Sequence, residues 1–177
     1  MKWFWIPGLL LASCSGEDWS DPAQVASATT DARIIEAIIE HRVQDWQSQG
    51  HQIRPIKVVK SIGGSIMDPQ SFDRPRADGL GWGRPATWDA FFSAQPRQLR
   101  IPPNLSFKFG LVGERHEPPQ GGGDFYFAAL TVSDDGQEAL VCCSWYCGPV
   151  CGDGWISRLV FENGVWRVAN EQGLWVS

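Results

Sequence analysis

Residues 154–168 read GWISRLVFENGVWRV, and this stretch decides the fold. Trp155, Leu159 and Phe161 share one side of an extended segment, which predicts a strand over Trp155–Phe161. Asn163-Gly164 is the dipeptide that a two-residue hairpin selects, because both positions need positive φ. Val165–Ala169 then returns as the next strand, with Trp166 and Val168 on one face. The pattern extends upstream. Glu138–Cys147 alternates as a strand that places Val141, Cys143 and Trp145 on one face. Asp134-Asp135-Gly136 is a turn, and Phe125–Ser133 is a further strand. Cys147–Gly154 reads as a loop, and Leu174–Ser177 as a closing extended piece. The last third of the chain is therefore an antiparallel meander.

The first half contributes a helix. From Asp31 to Gln47, Ile34, Ile35, Ile38, Ile39, Val43 and Trp46 recur at three-to-four spacing and form an apolar face. Thr30 is the expected cap and Gly50 the expected stop. Ile56–Ile62 is rich in β-branched residues and predicts a strand. Gly63–Pro103 is broken by Gly and Pro and reads mostly as loops, with a short helix at Thr87–Ala94. Ser106–Val112 is expected as a strand, and Pro118–Gly123 as a loop. A helix followed by a meander predicts an α+β domain with the N-terminal amphipathic helix packed on one sheet face. That order resembles the cone-shaped fold of the nuclear transport factor 2 type.

The chain has 177 residues, enough for one domain with its own core. Its net charge of −5 argues against nucleic acid as a partner, since that partner selects basic surfaces.

The N-terminus has a different grammar. Lys2 precedes an apolar run from Trp3 to Ala12, about half the length that spans a bilayer. Small and polar residues follow at Ser13-Cys14-Ser15-Gly16. Leu11-Ala12-Ser13-Cys14 resembles the lipobox of bacterial lipoproteins. The resemblance implies a diacylglycerol thioether on Cys14, cleavage just before it, and acylation of the new amino terminus, with palmitate among the chains expected. Burying acyl chains gains about 0.8 kcal/mol per CH₂, so several chains hold a protein firmly. Ser15 in place of Asp implies an outer-membrane destination, facing the periplasm. The expected organisation is a signal peptide over 1–13, a lipidated and flexible tether over 14–24, and a single α+β domain over 25–177.

Setting Cys14 aside for lipid leaves Cys142, Cys143, Cys147 and Cys151. In a regular strand Cys142 and Cys143 lie roughly 16 and 13 Å from Cys147, too far for a disulfide. Cys147 and Cys151 flank Gly148-Pro149-Val150 and are expected to pair. Cys142 and Cys143 point to opposite faces and read as small core residues. Cys-Gly-Pro-Val-Cys has one residue more than the thioredoxin motif and lies between strands, which argues against redox catalysis. Adjacent cysteines on a strand also aim poorly at one zinc ion. No metal and no cofactor are expected.

Cys147–Trp155, Asn163–Val168 and Leu174–Ser177 together resemble a group of uncharacterised bacterial proteins. The resemblance implies a shared domain and assigns no activity.

Two functional expectations follow. The first is a non-enzymatic envelope lipoprotein, a binding or structural domain that binds an envelope protein or a glycan or stabilises the envelope, with Trp82 and Trp88 in the Gly79–Phe92 segment as the contact surface. The second is a hydrolase in which His116 works with Glu117 or Asp124. His41 reads as part of a solvated helix face, and His51 as a turn residue. The chain has no Gly-x-Ser-x-Gly elbow, His-Glu-x-x-His helix or phosphate-binding loop.

Overall fold

A computed structural model describes residues 19–53, 55–62, 74–113, 123–148 and 150–176. The first element is a 27-residue helix, α1 (Pro22–Ser48). Asp21 caps it by accepting from the Ala23 N–H at 2.9 Å, and Pro22 fills the first turn. Pro22, Ala23 and Gln24, expected in the tether, thus belong to the helix. Thr30, the expected cap, lies inside α1, where its hydroxyl donates to the Ala26 carbonyl at 3.0 Å. Gly50 does stop the helix. It takes φ +80°, its N–H reaches Gln47 O at 3.0 Å, and His51 N–H reaches Trp46 O at 2.9 Å.

The remaining elements in chain order are β1 (Ile56–Ile62), α2 (Arg74–Gly79), α3 (Pro85–Ser93), β2 (Arg97–Gln98), β3 (Gly110–Val112), β4 (Gly123–Val132), β5 (Glu138–Gly148), β6 (Cys151–Glu162) and β7 (Val165–Val176). They form one seven-stranded sheet in the order β2-β1-β4-β5-β6-β7, with β3 beside β1. The meander β4–β7 is antiparallel throughout. β1 pairs in parallel with both β3 and β4. Asn163 (φ 53°) and Gly164 (φ 82°) form the tight turn between β6 and β7.

Three strand expectations change. Cys147–Gly154 is mostly strand rather than loop, because β5 runs to Gly148 and β6 starts at Cys151. Val165–Ala169 and Leu174–Val176 are parts of one strand, β7. Of Ser106–Val112 only Gly110–Val112 is paired. The Lys108 N–H instead donates to the Glu36 carboxylate at 2.9 Å, which takes that residue out of any ladder.

α1 covers one face of the sheet. Ile34, Ile35, Ile38 and Ile39 are fully buried against Phe125, Val141, Trp155 and Leu159. Each such side chain contributes about 1.5–3 kcal/mol. The opposite face is also covered, which the breaker-rich middle of the chain had concealed. There Ala77 of α2 and Trp88 and Phe91 of α3 pack on Leu140, Cys142 and Ile156. Cys143 joins the α1 core and Cys142 the second core, on opposite faces as the strand period requires.

Buried carboxylates fasten the surrounding segments. Asp31 accepts two hydrogen bonds from Arg97 and so ties α1 to β2. Glu36 accepts from Arg33 at 2.5 Å as well as from Lys108. Glu138 accepts from the Arg84 N–H at 2.9 Å and from Arg158 Nε at 2.7 Å, which draws the start of α3 onto β5.

Candidate functional site

Where the β6–β7 hairpin extends past the cover of α1, a groove of about 730 Å³ remains. Its helical wall carries Arg33, Ala37, Glu40, His41 and Gln44, residues three or four apart and therefore on one side of α1. The other wall is apolar, with Phe161, Val165, Trp166 and Val168. The Phe161 and Trp166 rings stand 5.2 Å apart. Phe161 is 36% exposed and Val165 47%, so the cores leave this apolar wall open. The charges on the polar wall are already matched. Arg33 pairs with Glu36, and Lys108 reaches Glu40 from the far rim. His41 lines the groove as an exposed residue of the polar face.

At the level of His41 and Gln44, on the neighbouring side of α1, the helix is bound to β7 through a more buried cluster. Arg42 meets Glu171 at 2.5 Å and lies 4.0 Å above the Trp155 ring. Glu171 also accepts from the Ser157 hydroxyl at 3.1 Å. Asp153 lies nearby on β6. Burial pushes its carboxyl above the ordinary value. Arg42 opposes that shift, and Glu171 and Asp45 reinforce it. Trp46 of α1 rests 4.6 Å from Trp145. Ser157 is fully buried, so its hydroxyl braces Glu171 and cannot meet a substrate.

The expected site residues are dispersed. Trp88 is only 3% exposed, and its Nε1 donates to Trp82 O at 2.9 Å. It belongs to the second core rather than to a contact surface, since the Phe91 and Phe92 rings pack on it. Trp82 is half-buried against it, 5.5 Å between ring centroids. Asp124 is buried at the start of β4, beside Tyr146 in the β5 register and on the face away from α1. His116, Glu117 and Cys14 lie outside the described residues. Cys147 and Cys151 form a disulfide with 5.2 Å between Cα atoms. Cys142 and Cys143 are free and buried, and burial pushes the Cys142 thiol up to about 12 and the Cys143 thiol up as well.

The groove itself escaped sequence reasoning. Phe161, Trp166 and Val168 read as core alternation, and nothing in their spacing shows that the helix stops short of covering them. Among the described residues, no grouping of His, Cys, Asp and Glu is placed to hold a metal ion. None of the described helices is long and apolar enough to cross a membrane. No family model, curated protein or solved structure matches the chain.

Proposed function

We propose that the chain is a lipid-anchored envelope protein whose α+β domain is a non-enzymatic binding module, with its partner seated in the groove between α1 and the β6–β7 hairpin. The observation that carries this reading is the spacing between Leu11-Ala12-Ser13-Cys14 and the fold. Asp21 caps α1 only a few residues after Cys14. A lipid on Cys14 would therefore lead almost directly into the first helix and hold the domain close to the membrane. The disulfide at the β5–β6 tip supports an oxidising compartment. The open apolar wall of the groove supports binding. Ser15 after the cysteine supports the outer membrane, periplasmic side. The long first helix packed on a terminal meander supports a cone-shaped arrangement of the nuclear transport factor 2 type.

The test is the intact mass of the chain extracted from host membranes, alongside a Cys14→Ser variant. The expected mass is that of Cys14–Ser177 plus acyl groups, with the variant released to the soluble fraction. An unacylated mass, or a variant still held in the membrane, overturns the anchor.

A further inference from the structure

β7 is the last strand of the sheet, and among the described residues nothing pairs with its outer side. The tight turn settles which of its main-chain groups face outward. In a two-residue hairpin the flanking residues Glu162 and Val165 exchange hydrogen bonds, so the next pair, Phe161 and Trp166, points its main chain away from the hairpin. Phe161 shows this directly, because its N–H donates across to Gln137 O at 2.9 Å. By the same alternation, Trp166 and Val168 present N–H and C=O to the open edge. Their side chains lie on the α1 face, in the apolar wall of the groove.

Long bare edges are ordinarily blunted by bulges, charges or proline. β7 has irregularities where Leu174 and Ala169 interrupt the register. Between the turn and Ala169 the register is regular, and the one charge there, the exposed Arg167, alternates with Trp166 and Val168 and so projects from the other face of the strand. From this we infer that the Val165–Val168 edge docks an extended peptide segment, which joins the sheet as an added strand. Main-chain bonds to Trp166 and Val168 would hold it. The two partner residues opposite them would set their side chains on the same face, beside Trp166 and Val168. Because Phe161, Trp166 and Val168 make that wall apolar, apolar side chains fit there. A free strand edge recognises polypeptide main chain, which a sugar lacks. This inference rests on the binding-module reading and names the partner class for the same groove.

The test uses the intact chain, ¹⁵N-labelled, and an uncharged hexapeptide of alternating Val and Thr with acetyl and amide ends. Saturating peptide is expected to slow hydrogen exchange at the Trp166 and Val168 amides by about tenfold, the factor for nine-tenths occupancy. Glu171 and Gly173, beyond the Ala169 irregularity, should be unaffected. The same hexapeptide with alternate amides N-methylated on each edge should have no effect. Val168→Pro removes an outward N–H and spares the bonds to β6, so it should abolish protection at Trp166 while the Arg167 amide stays protected. No slowing with the parent peptide overturns the inference. So does equal slowing with the methylated peptide, or slowing by a neutral chito-oligosaccharide alone. The acyl chains play no part in this measurement, so a failed anchor and a failed edge are distinguished.

Discussion

The indole of Trp175, on the last strand, crosses over Gly152 to meet the ring of Tyr146 on β5, with 5.2 Å between centroids. β6 lies between them and offers only the hydrogen of Gly152 at the crossing. A Cβ there would stand 2.7 Å from the Trp145 carbonyl oxygen, 3.2 Å from Tyr146 and 3.3 Å from Trp175. Gly152→Ala is expected to cost about 1–3 kcal/mol, because the nearest obstacle is backbone and cannot swing aside. Urea unfolding should show a lower midpoint at unchanged slope.

Glu138 is a buried carboxylate held by the Arg84 N–H and the Arg158 side chain. Burial pushes its carboxyl up, but the Arg84 and Arg158 hydrogen bonds outweigh that and leave it below the ordinary value. The folded state therefore binds this proton more weakly than the unfolded one. The contribution is complete above the unfolded value near 4.3 and is lost as pH falls through the folded value. Glu138→Ala should cost about 3 kcal/mol at neutral pH, since Arg158 keeps only Asn170. As pH falls from the unfolded value through the folded one, the gap between the variant and the parent should narrow in thermal unfolding.

Asp153 works in the opposite direction. Its folded carboxyl holds a proton more tightly than the unfolded one, so its contribution to stability falls as pH rises from about 3.9 through the folded value. Asp153→Asn should raise the neutral-pH melting temperature and flatten its dependence over that window. A lower melting temperature at neutral pH would show instead that Asp153 supports Arg42 more than burial penalises it.

Only one pair of cysteines should respond to a reductant. Cleaving Cys147–Cys151, or the change Cys147→Ser, should cost at most about 2 kcal/mol, because the closed loop is so short. Alkylation of the reduced native chain should label these two residues. Cys142 and Cys143, 1% and 0% exposed, should react only after unfolding.

Much of this architecture was legible in residues whose role is local. The apolar stripe of α1, the strand periods of β4–β7, the Asn163-Gly164 turn and the reach between Cys147 and Cys151 all follow from short-range geometry. What resisted reading depends on distant partners. Gly152 resembles a loop residue until Trp175 is seen to need the space above the strand. The Lys108 N–H is lost to the ladder only because Glu36, far away in sequence, claims it. Trp82 and Trp88 read as surface aromatics, since nothing nearby in the chain reveals that α3 lies over β5. The parallel pairing of β1 with β4 has no local signature. The groove is a mismatch between the length of a hairpin and the cover of a helix, so it exists only in three dimensions.

The salt bridge between Arg42 and Glu171 joins the first helix to the last strand, and this orders the events of folding. The β4–β7 hairpins can assemble from neighbours along the chain. α1 is synthesised first, yet its apolar face waits for Trp155 and Leu159, and its final tie waits for Glu171. Such distant contacts form slowly, because the intervening chain must first be gathered in. A nascent chain that lacks β6 and β7 therefore carries Ile34, Ile35, Ile38 and Ile39 without their cover. That helix stays without its partner surface until both strands of the hairpin have been made.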